Sequence, residues 1–297
     1  MHLADGRFVV RRAAVDAPEI ASFVVGDAVV AIDPRGERIA VATGSQLTLL
    51  GMSGIEEKAA DLAPGFAVKD IAYRADGERL WVFGTVGASF HAHAFDRALT
   101  PSGAYALTLA QGPYPTGLDV HPTEDAFLLT TNEDGRDQDA SIHRIGARVE
   151  GGALRVLFDH GDIDHPCVGF TRDGSAFVGV DAFNGVTLWR WPDHERIDEA
   201  LLPEGDESRF DGAVIGDHLL TERHAAGTSD SALMVLAVPS LTQEALITWS
   251  TRGDFGAPDD DAGADLGGAL GADCFLEVKS GASEGAWILR VWRLSAR

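Results

Sequence analysis

Short apolar runs broken by polar turns dominate this chain, and one such phrase recurs. Residues 29–43 read Val-Val-Ala-Ile-Asp-Pro-Arg-Gly-Glu-Arg-Ile-Ala-Val-Ala-Thr. Residues 70–84 read Asp-Ile-Ala-Tyr-Arg-Ala-Asp-Gly-Glu-Arg-Leu-Trp-Val-Phe-Gly. Related phrases occupy residues 117–131 and 167–181, and weaker copies lie at 213–222 and 268–277. Each is an apolar strand, a polar turn and a second apolar strand, which predicts a β-hairpin. No long apolar stripe at helical spacing accompanies them. The turn positions Gly36, Gly77, Glu124, Gly174, Gly216 and Gly271 lie 41, 47, 50, 42 and 55 residues apart. A unit of this size cannot bury both of its faces alone and must stack on its neighbours.

Further strands lie between the hairpins. Residues 89–95 alternate small and large side chains, and residues 185–191 read Gly-Val-Thr-Leu-Trp-Arg-Trp. Residues 287–294 read Trp-Ile-Leu-Arg-Val-Trp-Arg-Leu. Period-two alternation places Val186, Leu188 and Arg190 on one face and Thr187, Trp189 and Trp191 on the other. It also predicts that Trp81, Phe127, Phe177 and Leu219, at similar places on second strands, are buried between repeats.

With these strands in place, the chain resembles the WD-repeat and Tyr-Val-Thr-Asn-repeat β-propellers. The resemblance implies an all-β fold: one propeller of four-stranded blades spanning residues 1–297. Six blades are favoured, with seven the alternative. Strands near residues 8–14 and 20–25 are expected to complete the last blade and close the ring, leaving no free sheet edge. The chain departs from the WD signature. Arg190 and Arg293 follow Trp189 and Trp292 where that family has Asp, and its Gly-His pair is absent. Residues 111–122, continuing to Thr131-Asn132-Glu133, look like one blade of the lactonase-type propellers. That likeness implies common fold ancestry, with no matching catalytic His and Arg positions elsewhere.

Composition narrows the function. Among 297 residues, Lys and Arg total 24 against 46 Asp and Glu, a net charge of −22. Such a surface repels nucleic acid and anionic lipid, whose recognition needs clustered cations. The same charge can keep the protein dispersed or steer a basic protein onto the ring. Only Cys167 and Cys274 occur, which reads as free thiols rather than a disulfide framework. The first twelve residues do not read as a signal peptide, and no apolar run of eighteen residues is present. The expected location is therefore the cytoplasm.

The densest set of potential ligands is Asp159-His160-Gly161-Asp162-Ile163-Asp164-His165. Its position before the fourth hairpin predicts a loop entering an inner strand. There Asp159, His160, Asp162, Asp164 and His165 could bind a divalent cation, or form a solvated turn before Pro166. Residues 251–270 read as one long acidic inter-blade loop. Within it, Asp259, Asp261 and Asp265 alternate as in a calcium loop. Gly263, however, stands one place early, and Leu270 replaces the bidentate Glu of an EF-hand. Residues 132–139 read as an acidic hairpin turn. His91 and His93 share a strand face, as a zinc pair would. No nucleophile elbow, phosphate loop or His-Glu-x-x-His motif occurs.

The sequence therefore predicts a monomeric ring without a cofactor, acting as a non-catalytic interaction module for a protein partner, notably a basic one. An adaptor or a neutraliser of a basic enzyme would both fit. A lactonase-like hydrolase at the channel mouth and a ligand-sensing propeller are the alternatives.

Overall fold

The computed structural model describes residues 8–12, 29–51, 55–87, 89–107, 114–132, 142–161, 167–181, 185–201, 207–224, 231–248, 265–268, 274–280 and 287–296. Among these, twenty-four strands form six four-stranded sheets. The first strand is β1 (Phe8–Arg12). Blade 1 holds β2 (Val29–Ile32), β3 (Arg38–Thr43), β4 (Gln46–Gly51) and β5 (Glu56–Asp61). Blade 2 holds β6 (Ala67–Tyr73), β7 (Arg79–Val86), β8 (Ser89–Asp96) and β9 (Pro101–Leu107). Blade 3 holds β10 (Tyr114–Val120), β11 (Ala126–Asn132), β12 (Ile142–Glu150) and β13 (Ala153–His160). Blade 4 holds β14 (Cys167–Phe170), β15 (Ala176–Asp181), β16 (Gly185–Arg190) and β17 (Glu195–Leu201). Blade 5 holds β18 (Glu207–Ile215), β19 (His218–His224), β20 (Ser231–Ala237) and β21 (Gln243–Thr248). The last sheet runs β22 (Asp265–Gly268), β23 (Cys274–Ser280), β24 (Trp287–Ala296) and then β1.

Every described ladder is antiparallel, and all but one join sequence neighbours. β1 pairs with β24, from Phe8 opposite Ala296 to Arg12 opposite Trp292. The expected N-terminal closing strand is thus present over residues 8–12, and residues 20–25 lie outside the described set. The first strands of successive sheets, β2, β6, β10, β14, β18 and β22, neighbour one another around the ring. They surround the axis, and the fourth strands form the rim. The loop read across residues 251–270 ends earlier, because Asp265–Gly268 is a strand paired with Phe275–Val278 of β23.

The core lies between blades. Ala40, Leu47, Leu49, Ile71, Leu80 and Val82 join blades 1 and 2. Trp81, Phe83, Phe127 and Ile145 join blades 2 and 3, with Phe127 edge-on to Trp81 at 4.6 Å and to Phe83 at 4.9 Å. The four core positions read from alternation are buried as expected: Trp81 at 0%, Phe127 at 1%, Phe177 at 0% and Leu219 at 0% exposure. The two faces of β16 also separate as the alternation requires. Val186 and Leu188 pack toward blade 5, and Trp189 packs with Trp191 toward blade 3.

The hairpin turns repeat one backbone design. Asp33 N–H donates to Arg38 O and Gly36 N–H to Asp33 O, and the same pair of bonds closes Arg74–Arg79 and Thr171–Ala176. Gly174 has φ +73, a conformation that other residues adopt only under strain. A Cβ there would also lie 2.3 Å from the His121 ring of the preceding blade, so the glycine admits that side chain.

Candidate functional site

The turns after the first strands touch across the joints between blades. Arg35 reaches from blade 1 to the Asp76 carbonyl of blade 2 at 2.9 Å and pairs with Glu78. Arg74 and Arg79 of blade 2 both pair with Asp125 of blade 3. Arg172 of blade 4 meets Asp217 of blade 5 at 3.1 Å. Elsewhere Arg97 pairs with Glu37, Arg38 with Glu57, Arg148 with Glu124, and Arg190 with Glu195. The described arginines are thus largely engaged by carboxylates of this chain.

The joint between blades 3 and 4 is built differently. His121, only 2% exposed, donates its Nε2–H to Gly174 O of blade 4 at 3.0 Å. Its Nδ1 accepts the Glu124 N–H at 3.0 Å. Burial lowers its pKa from the ordinary imidazole value. Farther out, Arg144 of β12 is fully buried and lies over the rings of Phe177, at 5.4 Å, and Trp189, at 5.3 Å. Its Nη1 donates to His194 Nε2 at 3.2 Å. A guanidinium has no acceptor, so this His194 nitrogen carries a lone pair and the ring is neutral. His194 stacks on His160 with ring centroids 3.9 Å apart, and on Trp189 at 4.6 Å. Burial first, then Arg144 and His160, push its pKa down to about 4.

A second feature lies on the inner strands. Asp70 of β6 and Asp119 of β10 are half-buried on adjacent inner strands. Desolvation pushes each up to about 7. Asp119 raises Asp70 further, whereas the Ile71 N–H, donating to Asp70 Oδ1 at 2.7 Å, and the Leu118 N–H oppose the rise. Arg144 draws Asp119 back toward its charged form. Near neutrality such carboxyls are partly protonated and able to give or take a proton.

The residues singled out from sequence fare unequally. Asp159 and His160 do not sit in a loop entering an inner strand. They end β13, the outermost strand of blade 3, because the fourth strand continues its ladder with Arg144 opposite His160. Asp159 Oδ1 accepts from His143 Nδ1 at 2.9 Å, and His160 stacks on His194. Asp162, Asp164, His165, Asp259 and Asp261 lie outside the described residues, and Asp265 opens β22. His91 and His93 are half-buried neighbours on β8, 6.3 Å apart, with His93 packed on Phe66 at 4.5 Å. Burial and His91 lower the pKa of His93. Among the described residues no three His, Cys, Asp or Glu side chains gather as metal ligands, and no helix is long and apolar enough to cross a membrane.

Sequence reading missed Asp70 and Asp119 as a pair, and His121 and His194 as members of one joint. The signal for the pair was an acid set within an apolar first strand in two successive repeats, Asp-Ile-Ala-Tyr and Leu-Asp-Val. The signal for His121 was its place in Val-His-Pro, where the first repeat has Ile-Asp-Pro.

No family model matches the chain, and no curated protein matches it. Solved structures do. The β-propeller domain of Cps50 (Swd1) from Myceliophteria thermophila superposes with a TM-score of 0.52 at 8% identity, covering 94% of this chain and 100% of that one. TolB from Acinetobacter baumannii gives 0.50 at 12% identity, covering 92% of this chain and 68% of that one. A putative TolB from Agrobacterium tumefaciens gives 0.51 at 14%, covering 74% of this chain and 79% of that one. At such identities the likeness establishes the fold and does not reach the finer WD-repeat or Tyr-Val-Thr-Asn-repeat assignment. The chain shares the β-propeller fold of these proteins.

Proposed function

We propose that this propeller is a non-catalytic interaction module whose acidic surface receives a basic protein. One observation carries the reading. The chain has an excess of 22 negative charges, and its described arginines are largely held in pairs with its own carboxylates. The field offered to a partner is therefore negative. On the rim, Glu56 and Asp61 of β5, Asp193, and Asp198 of β17 are exposed. With the acidic segments 159–164 and 259–265 they would form the receiving surface of a single-domain, monomeric, cytoplasmic ring. The test is to identify a partner by capture from the native host at low and high salt, then to follow association kinetics with Asp159, Asp162 and Asp164 changed to Asn. Slower association with an intact fold supports the reading, because exposed charges steer encounter and add little stability.

The Asp70 and Asp119 carboxyls favour one second reading, a lactonase-like hydrolase working in the channel. It requires turnover of a lactone that Asp70→Asn or Asp119→Asn abolishes. Unchanged turnover in both variants, or none in the wild type, removes it.

A further inference from the structure

We propose that the joint between blades 3 and 4 is an acid-sensitive seam in the ring. It closes only while His121 and His194 are both neutral, and it loosens in mild acid while the arginine-pinned joints hold.

Hydrogen-bond direction makes the seam depend on neutral rings. His121 uses both ring nitrogens: Nε2–H donates across the joint to Gly174 O, and Nδ1 accepts the Glu124 N–H. Adding a proton to Nδ1 leaves that buried N–H facing another donor. His194 uses its Nε2 lone pair to accept from Arg144. Protonation there replaces an acceptor by a donor and sets a cation against a buried guanidinium. Both histidines contact the same aromatic cluster: His121 lies 5.8 Å from Trp191, and Phe158 lies 5.8 Å from Trp191 and 4.9 Å from His194.

The charged surroundings do not reverse this. His194 faces Arg144 from β12 and His160 from β13, both of which disfavour its charge. Asp119 on β10, pushed up to about 7, loses its charge over the same pH range and so no longer offsets the Arg144 cation, and Asp159 on β13 accepts from His143. Around His121, Glu124 and Asp173 favour the charged ring and Arg148 opposes it, yet burial outweighs them all. Other histidines differ in kind. His143 and His218 lie against carboxylates, Asp159 at 2.9 Å and Glu244 at 3.2 Å. The joints on either side rely on Arg74 and Arg79 with Asp125, and on Arg172 with Asp217, pairs that include no imidazole.

The direction with pH follows. In the open joint both rings regain the ordinary imidazole value near 6.5, whereas the closed joint holds them below it, His194 at about 4. The open form therefore binds more protons, and opening gains by up to about tenfold per pH unit for each proton taken up below about pH 6.5.

The experiment is amide hydrogen exchange of the full chain at pH 7.5 and 5.0, corrected for the intrinsic rate. Protection in Ala126–Asn132 and Ala176–Asp181 should fall at least about tenfold, while Arg38–Thr43 and Arg79–Val86 keep theirs. The double variant His121→Asn, His194→Gln should lose this difference. Asn at 121 can accept as Asp33 does from the Arg35 N–H at the same turn position, and Gln at 194 can accept from Arg144. Equal loss of protection in blades 1 to 4, or none, overturns the proposal. If the double variant does not fold, an imidazole titration of the wild type decides: a midpoint at or above 6.5 for both rings in the folded chain also overturns it.

Discussion

At the scale of single residues, burial decides which polar groups carry consequence. Asp119 lies on the inner strand β10 and is pushed up to about 7, mainly by desolvation. A carboxyl raised in the folded state binds its proton more tightly there than in the unfolded chain. It therefore costs stability above about pH 7, and that cost fades as the pH falls toward the ordinary carboxylate range. Asp119→Asn should stabilise the protein at pH 8 by on the order of 2 kcal/mol, because the exposed part of the side chain keeps some solvation. The gain over wild type should shrink by pH 5. Melting curves of both proteins at the two pH values check this, and a gain independent of pH would point to packing instead. Phe177 makes the opposite case. It is fully buried and lies under the Arg144 guanidinium. Phe177→Ala should cost about 3–5 kcal/mol in denaturant unfolding, and a loss under about 1 kcal/mol would show that the ring does not bear on the blade joint.

At the scale of strands and blades, the hairpins were legible because each needs a period-two apolar pattern and a turn residue that tolerates positive φ. Gly36, Gly77 and Gly174 supply the latter, at φ +66, +69 and +73. The strand Phe8–Arg12 was legible as a closing element because the C-terminal unit offered three strands of four. The joints were not legible. Whether Arg74 finds Asp125, or His121 finds Gly174, depends on how two repeats stack, and hydrophobic alternation is silent on that. The end of β13 misled for a related reason. Asp159 and His160 are polar enough to read as loop, yet a rim strand has one wet side and accepts them. Removing residues 1–25 should uncover the β24 edge. The expected result is concentration-dependent aggregation, seen by light scattering, because an unpaired strand invites another chain. A dispersed truncation with an unaltered, cooperative melt would mean that β1 is dispensable to the ring.

For the whole molecule, fold and charge point to different kinds of statement. The six described sheets belong to a β-propeller, and that fold serves many functions. Under the proposed reading, the charge of −22 is the property that selects among partners. Arg35, Arg74, Arg79 and Arg172 tie blade to blade, and Arg38, Arg148 and Arg190 pair with carboxylates of their own blades, so much of the positive charge is matched locally. Steering by such a field acts on encounter and weakens as salt shortens its reach, from about 10 Å at 0.1 M to about 3 Å at 1 M. The most direct test is therefore the association rate with the captured partner, measured by stopped flow across that salt range for the wild type and the Asp159, Asp162, Asp164 to Asn variant. The account predicts a wild-type rate that falls steeply with salt and a variant that starts slower and falls less. A rate indifferent to both salt and the substitutions would contradict it, leaving the acidity to serve dispersion alone.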